Sequence, residues 1–240
     1  MKSKVYDFFD EAIADVPDGA TIMFPGFGGV GMPRNLILAL ARQGASNLTG
    51  ISNYHGYLSS IVDVGVLVET GQIKKMVCSF TGPRHPSRLT HFIKLYEKGE
   101  VEGELVPQGT MIERIRAASA GIGGFYTRTS INTELAEGKE HREIDGKTYV
   151  LEYPLHADYA FIRAWKADTL GNLQFRLAQR NFNPVMAMAA KITVVEVEND
   201  IVQPGDLDPD HIHTPGIFVD RVVRIPPDGI WETVDRNRAF

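Results

Sequence analysis

The chain has 240 residues, 43% hydrophobic and 23% charged, with a formal net charge of −5. That length suffices for one large α/β domain burying roughly 70% of its unfolded surface, and the acidic balance argues against nucleic acid, whose binding needs a basic face. A lone cysteine, Cys78, rules out an internal disulfide and suits a reducing compartment.

The N-terminal stretch is broken by Asp7, Asp10 and Glu11, so it does not read as a signal peptide. No apolar run approaches the 18 or more residues of a membrane span. The expectation is a cytoplasmic protein with no membrane partner.

Residues 4–15 read as a helix, and 20–24 as a buried strand. Glycines follow at Gly26, Gly28, Gly29 and Gly31, and Pro33 opens a helix over 33–43 with Leu36, Ile37 and Leu40 at helical spacing. Strand, glycine loop and helix start together let backbone approach a bulky, often anionic ligand. A glycine-rich turn with no ligand remains the alternative. The spacing from Gly26 to Gly31 fits the dinucleotide fingerprint, but no Asp or Glu lies between Pro33 and Val62. The fingerprint needs an acidic residue about 20 positions on for the ribose, so a nucleotide-binding oxidoreductase is disfavoured.

Strand 47–52 ends just before Asn53. Residues 59–70 are helical in part, 75–80 a strand, 91–98 a helix and 101–106 a strand. Gln108 and Gly109 follow, then helix 110–118. The alternation predicts an α/β fold, an open and mostly parallel sheet with helices on both faces. From 121 to 146 the pattern loosens. Strands at 150–152 and 159–164, a turn at 166–172, a short strand at 173–176, helix 184–190 and the β-branched strand 192–197 complete the body. One domain over 1–240 is expected, with a C-terminal arm from about Arg224 that needs a partner or groove.

Cys78 sits in the apolar run Met76–Phe80 and reads as a small buried hydrophobe. His211 and His213, beside Asp208 and Asp210, have the look of a metal cluster, but the flanking prolines already explain a loop and no metal is expected. Asn53 and Gln108 stand where parallel strands end, the place such sheets bind ligands. Their amides can donate to a carbonyl oxygen or to the oxyanion it becomes.

Together these residues resemble the A subunit of the family I CoA-transferases, the 3-oxoacid type (acetoacetate or 3-oxoadipate). Asp18, Gly19, Gly26, Phe27, Gly31 and Pro33 match the family signature, with Pro25 where a glycine is usual. Further similar stretches are 105–110, 121–127, 164–172, 180–184 and 207–216. The resemblance implies the family's α/β fold and an acyl-CoA-binding loop of Gly26, Phe27, Gly28, Gly29 and Gly31. It also implies a substrate or oxyanion site at Asn53, Gln108 and Gly109. The partner would be a B subunit carrying the nucleophilic glutamate in a Ser-Glu-Asn-Gly setting, a motif absent from these residues. CoA would be a substrate and no cofactor would be needed. Tyr54 stands where the family has a second asparagine, and Gly82–Pro86 also departs, which leaves the acyl substrate open. A CoA-ester hydrolase or ring-cleaving relative on the same fold, and a non-catalytic CoA-binding module, are the alternatives.

Overall fold

The structure, a computed structural model, describes residues 3–56, 61–82 and 89–229. The elements in chain order are β1 (Val5–Tyr6), α1 (Phe9–Ala12), β2 (Thr21–Phe24), α2 (Arg34–Gln43), β3 (Leu48–Ser52), α3 (Gly65–Glu69), β4 (Ile73–Cys78), α4 (His91–Glu97), β5 (Glu102–Leu105) and α5 (Gln108–Ser119). Then come β6 (Phe125–Thr127), β7 (His141–Ile144), β8 (Lys147–Glu152), β9 (Ala157–Ala164), β10 (Lys166–Ala167), β11 (Leu173–Gln174), α6 (Asn183–Ala189), β12 (Ala190–Val197) and β13 (Arg221–Arg224).

Eight strands form one sheet in the order β1-β13-β12-β9-β2-β3-β4-β5, and every pairing in it is parallel. The central strands β2, β3 and β9 are almost wholly buried on both faces, as parallel strands covered on both sides must be, whereas edge strand β5 carries Glu102 and Glu104. In β2, Ile22 and Phe24 enter the core beneath α1, α2, α3 and α4, while Met23 points into the second core with α5 and α6. Burying each such side chain stabilises the fold by roughly 1.5–3 kcal/mol. The expected α/β fold with helices on both faces is what the chain adopts.

The chain runs from β2 outward through β3, β4 and β5, then returns to the other side of β2 as β9 and continues through β12 and β13. The direction reverses between β2 and β9, and a crevice opens there beyond the strand ends.

Several boundaries differ from the sequence reading. Residues 4–15 are not one helix: Val5 and Tyr6 add to the sheet edge beside Val222 and Val223, and only Phe9–Ala12 is helical. Pro33 precedes the first helical residue instead of occupying it. The loosened region after Gly121 contains a three-stranded antiparallel sheet, β6-β8-β7. Asp145 and Gly146 turn its hairpin at φ +50° and +68°, the two left-handed residues of a tight turn. The expected turn at 166–172 begins with a two-residue strand pairing with β11. Of the expected helical stretch 59–70, residues 59 and 60 lie outside the described residues, as does most of Gly82–Pro86. Ile225, next after β13, is buried and donates to Val197 O, and the residues from 230 on are also outside.

Candidate active site

Phe24 and Ser52 are register partners at the ends of β2 and β3, so the glycine loop and Asn53 leave the sheet side by side. Gln108 is the first residue of α5, reached from the end of β5 through Pro107. Its Nε2 donates to Asn53 Oδ1 at 2.6 Å. Asn53 is buried and Gln108 exposed, so the pair links the sheet edge to solvent. One hydrogen of the Gln108 amide is used in that bond. The other, with those on Asn53 Nδ2, provides donor capacity toward a ligand. Gly109, exposed in the first turn of α5, has open space where a side chain would sit.

The glycine loop is a tight reverse turn. Phe27 and Val30 exchange N–H···O bonds of 3.1 and 3.2 Å across Gly28 and Gly29, both left-handed. Phe27 and Val30 stay 55% and 47% exposed, on a rim that faces outward. A later segment holds the loop from beneath. Gly26 N donates to Asn181 Oδ1 at 3.1 Å, Asn181 Nδ2 donates to Val30 O at 3.0 Å, and Asn183 Nδ2 donates to Gly31 O at 3.1 Å. Gly31 has φ +75°, and a Cβ there would lie 2.7 Å from Gln179 O and 2.8 Å from both asparagine Nδ2 atoms. No side chain fits.

The sequence leads one to expect a ligand's negative charge at the start of α2. The structure gives those donors to the chain itself. Glu196 Oε2, at the end of β12, accepts from Asn35 N at 2.8 Å and Leu36 N at 3.1 Å. Glu196 is fully buried, with Arg163 Nη1 at 3.6 Å. Desolvation raises its carboxyl to about 7, against the opposing pull of Arg163 and the helix N–H groups. Arg163 Nε also reaches Glu198 at 2.8 Å, and Gln179 Nε2 donates to the same Glu198 oxygen at 2.7 Å. Arg163, Gln179, Glu196 and Glu198 are not among the residues that the sequence singles out. Two glutamates closing a buried β-branched strand are the available signal.

Between the loop and this network lies a cavity of about 570 Å³, whose wall includes Gly28–Gly31, Arg34, Arg163, Arg176 and Glu198. Asn53 and Gln108 are not in its wall. The predicted residues therefore form two adjoining parts, an amide pair and a glycine-loop cavity, on one edge of the sheet.

Beside Asn53, His55 is buried and stacked on Phe92 at 4.7 Å, with Nδ1 3.2 Å from Thr90 Oγ1. Burial pulls its pKa down to about 4, so the ring is neutral at pH 7. Burial pushes the Cys78 thiol up to about 12 and its Sγ donates to Phe80 O, a setting that disarms a thiolate nucleophile. His211 pairs with Asp208 at 2.7 Å, whereas His213 Nδ1 accepts from Phe175 N at 2.9 Å. Among the described residues no three His, Cys, Asp or Glu side chains group to hold a metal, and no helix is long and apolar enough to cross a membrane.

A family model described as Coenzyme A transferase matches residues 6–224. The A subunit of 3-oxoadipate CoA-transferase from Pseudomonas putida is 50% identical over 225 residues, covering 94% of this chain and 95% of that protein. The A subunit of a probable succinyl-CoA:3-ketoacid coenzyme A transferase from Bacillus subtilis (strain 168) is 51% identical, over 92% of this chain and 89% of that one. Among solved structures, an acyl-CoA transferase from E. coli O157:H7, as a thioester complex with CoA, superposes with a TM-score of 0.79 at 25% identity. It covers 98% of this chain, which spans only 49% of that longer one.

Proposed function

The chain belongs to the coenzyme A transferase family, and from that premise we propose that it is the A subunit of a two-subunit enzyme moving CoA between an acyl-CoA and a short 3-oxoacid. The donor is succinyl-CoA or acetyl-CoA, and the acceptor acetoacetate, 3-oxoadipate or a similar acid. The observation that carries this reading is the near end-to-end match to relatives that are themselves named A subunits. The enzyme works in the cytoplasm and needs no metal or redox cofactor, because every step is an acyl substitution.

The nucleophile comes from the B subunit. Its glutamate carboxylate attacks the thioester carbonyl, the oxygen becomes an oxyanion, and the thiolate of CoA leaves to give an acyl-glutamyl anhydride. The thiolate then attacks the glutamyl carbonyl, expelling the acyl group as a carboxylate and leaving an enzyme-bound glutamyl thioester. The acceptor carboxylate runs both steps in reverse. At each addition, Asn53 Nδ2 and the uncommitted hydrogen of Gln108 Nε2 donate to the developing oxyanion. Neutral amides suit this role, because they gain strength as charge appears on oxygen without trapping the carboxylate substrate. The Gln108–Asn53 bond at 2.6 Å fixes the two amides relative to each other before substrate arrives. Phe27 and Val30 are exposed apolar side chains on the loop rim, and their burial by a second subunit would help to exclude water from the anhydride.

The test is reconstitution. The purified chain alone should transfer no CoA, and addition of the B subunit should restore turnover that depends on a carboxylate acceptor. Transfer by the isolated chain, or thioester loss independent of any acceptor, would defeat the reading.

A further inference from the structure

Among the described residues, three arginines and one glutamate line the cavity beside the glycine loop. Arg34 enters from the first turn of α2, with Nη2 donating to Gly29 O at 3.0 Å. Arg163 rises from β9, across the sheet's switch point. Arg176, just after β11, also lines the cavity and is exposed, its guanidinium 5.9 Å from the Trp165 ring. Glu198, the one lining carboxylate among the described residues, is held by Arg163 and Gln179 and so is committed within the wall. No carboxylate pairs with Arg176 among the described residues. A cavity with this balance attracts an anion, and guanidinium forks suit planar carboxylates.

Its position narrows the choice of anion. β3, β2 and β9 are consecutive strands, so Arg163 on β9 lies two strand spacings, about 10 Å, from the strand that ends at Asn53. Arg34 follows β2, the intervening strand, and also lines the cavity. A separation of that order suits a short diacid with one end at the amide pair and the other in the cavity.

We infer that the cavity lined by Arg34, Arg163 and Arg176 binds the distal carboxylate of a dicarboxylic acyl group, selecting succinyl and 3-oxodicarboxylic substrates over monocarboxylic ones. This rests on the CoA-transferase reading and adds its substrate class. Arg34 and Arg176 set the preference, and Arg163 holds Glu198 in the wall.

The experiment uses the chain assembled with its B subunit. With acetoacetate as acceptor, kcat/KM is measured for succinyl-CoA and for acetyl-CoA in the wild type, Arg34→Gln and Arg176→Gln. The expected result is a fall of about 10- to 100-fold in the succinyl-to-acetyl ratio in each variant, the loss of one hydrogen bond to a charged group. Arg34→Lys should recover part of it. Arg176 is exposed, so its variant carries the test even where Arg34→Gln disturbs the loop. An unchanged ratio overturns the proposal. So does an equal loss with both donors, which would place the CoA phosphates, common to both, in the cavity. Calorimetric titration with free succinate and acetate separates this inference from the transferase reading. Succinate that binds the wild type more tightly than acetate, and loses that advantage in both variants, supports the site even if no transfer is seen. Equal binding of the two acids rejects it.

Discussion

Replacing Gly31 by alanine tests whether the loop is built on a close approach of backbone to side-chain amides. Two costs add. An L-residue at φ +75° pays about 1–2 kcal/mol for the left-handed conformation. The new methyl would also sit 2.7 Å from Gln179 O and 2.8 Å from the Nδ2 atoms of Asn181 and Asn183, far inside ordinary contact. Relief requires moving the segment that donates to Val30 O and Gly31 O, at about 1 kcal/mol for each bond lost. The total is about 3–4 kcal/mol, a large part of the roughly 5–15 kcal/mol that typically holds a domain. Gly44 is the internal control, with φ +86° and nothing within 4 Å of its Cβ position. Gly44→Ala should lose only the conformational part. Differential scanning calorimetry of the assembled enzyme should give midpoints lowered by about 6–16 °C for Gly31→Ala and about 2–8 °C for Gly44→Ala. Turnover should fall only in the first. Matching midpoints and full activity in both variants would refute this account of the loop.

Gln108→Ala should lower kcat by about 10²–10³ in an intact complex, the cost of one oxyanion donor. Steady-state kinetics with elution volume and melting point in parallel check this, and an unchanged kcat rejects the role. His55 makes stability pH-dependent. Its folded pKa is about 4 against an ordinary 6.5, so between those values the unfolded chain binds a proton that the folded chain refuses. Stability therefore falls as pH drops from 6.5 to 4. His55→Gln should destabilise at about pH 7.5 and lose less than the wild type on acidification. Urea midpoints at about pH 7.5 and pH 4.5 measure this, and a constant gap between the two proteins would contradict it.

The α/β architecture was legible because buried parallel strands are short apolar runs and the intervening helices carry apolar faces. That Asn53, Gln108 and the glycine loop share one edge of the sheet was legible because each follows a strand, and ends of parallel strands lie along one edge. What escaped was set by partners distant in the chain. Glu196 caps α2 from the far half of the sequence, and nothing local announces that a strand glutamate will meet a helix start. Val5 and Tyr6 read as helix because their pairing with β13 spans nearly the whole chain. The β7–β8 hairpin is a different case. Asp145-Gly146 is a local turn signal of the strongest kind, but the polar strands beside it carry no apolar alternation.

The supports of the glycine loop have an order in time. Every side chain named above as holding the loop or the start of α2 from outside (Asn181, Asn183, Glu196) is made after β9, whereas the loop itself is among the first residues to leave the ribosome. A nascent chain that has emerged only as far as β5 has the strands β2 to β5 and none of these supports. The loop's turn residues must wait, unbraced, for the second half to arrive. Once that half docks, the same residues that close the sheet also set the loop. A chain with this cavity complete is thus one whose synthesis has passed β12, and truncated products carry the glycine sequence without the shape it takes in the finished molecule.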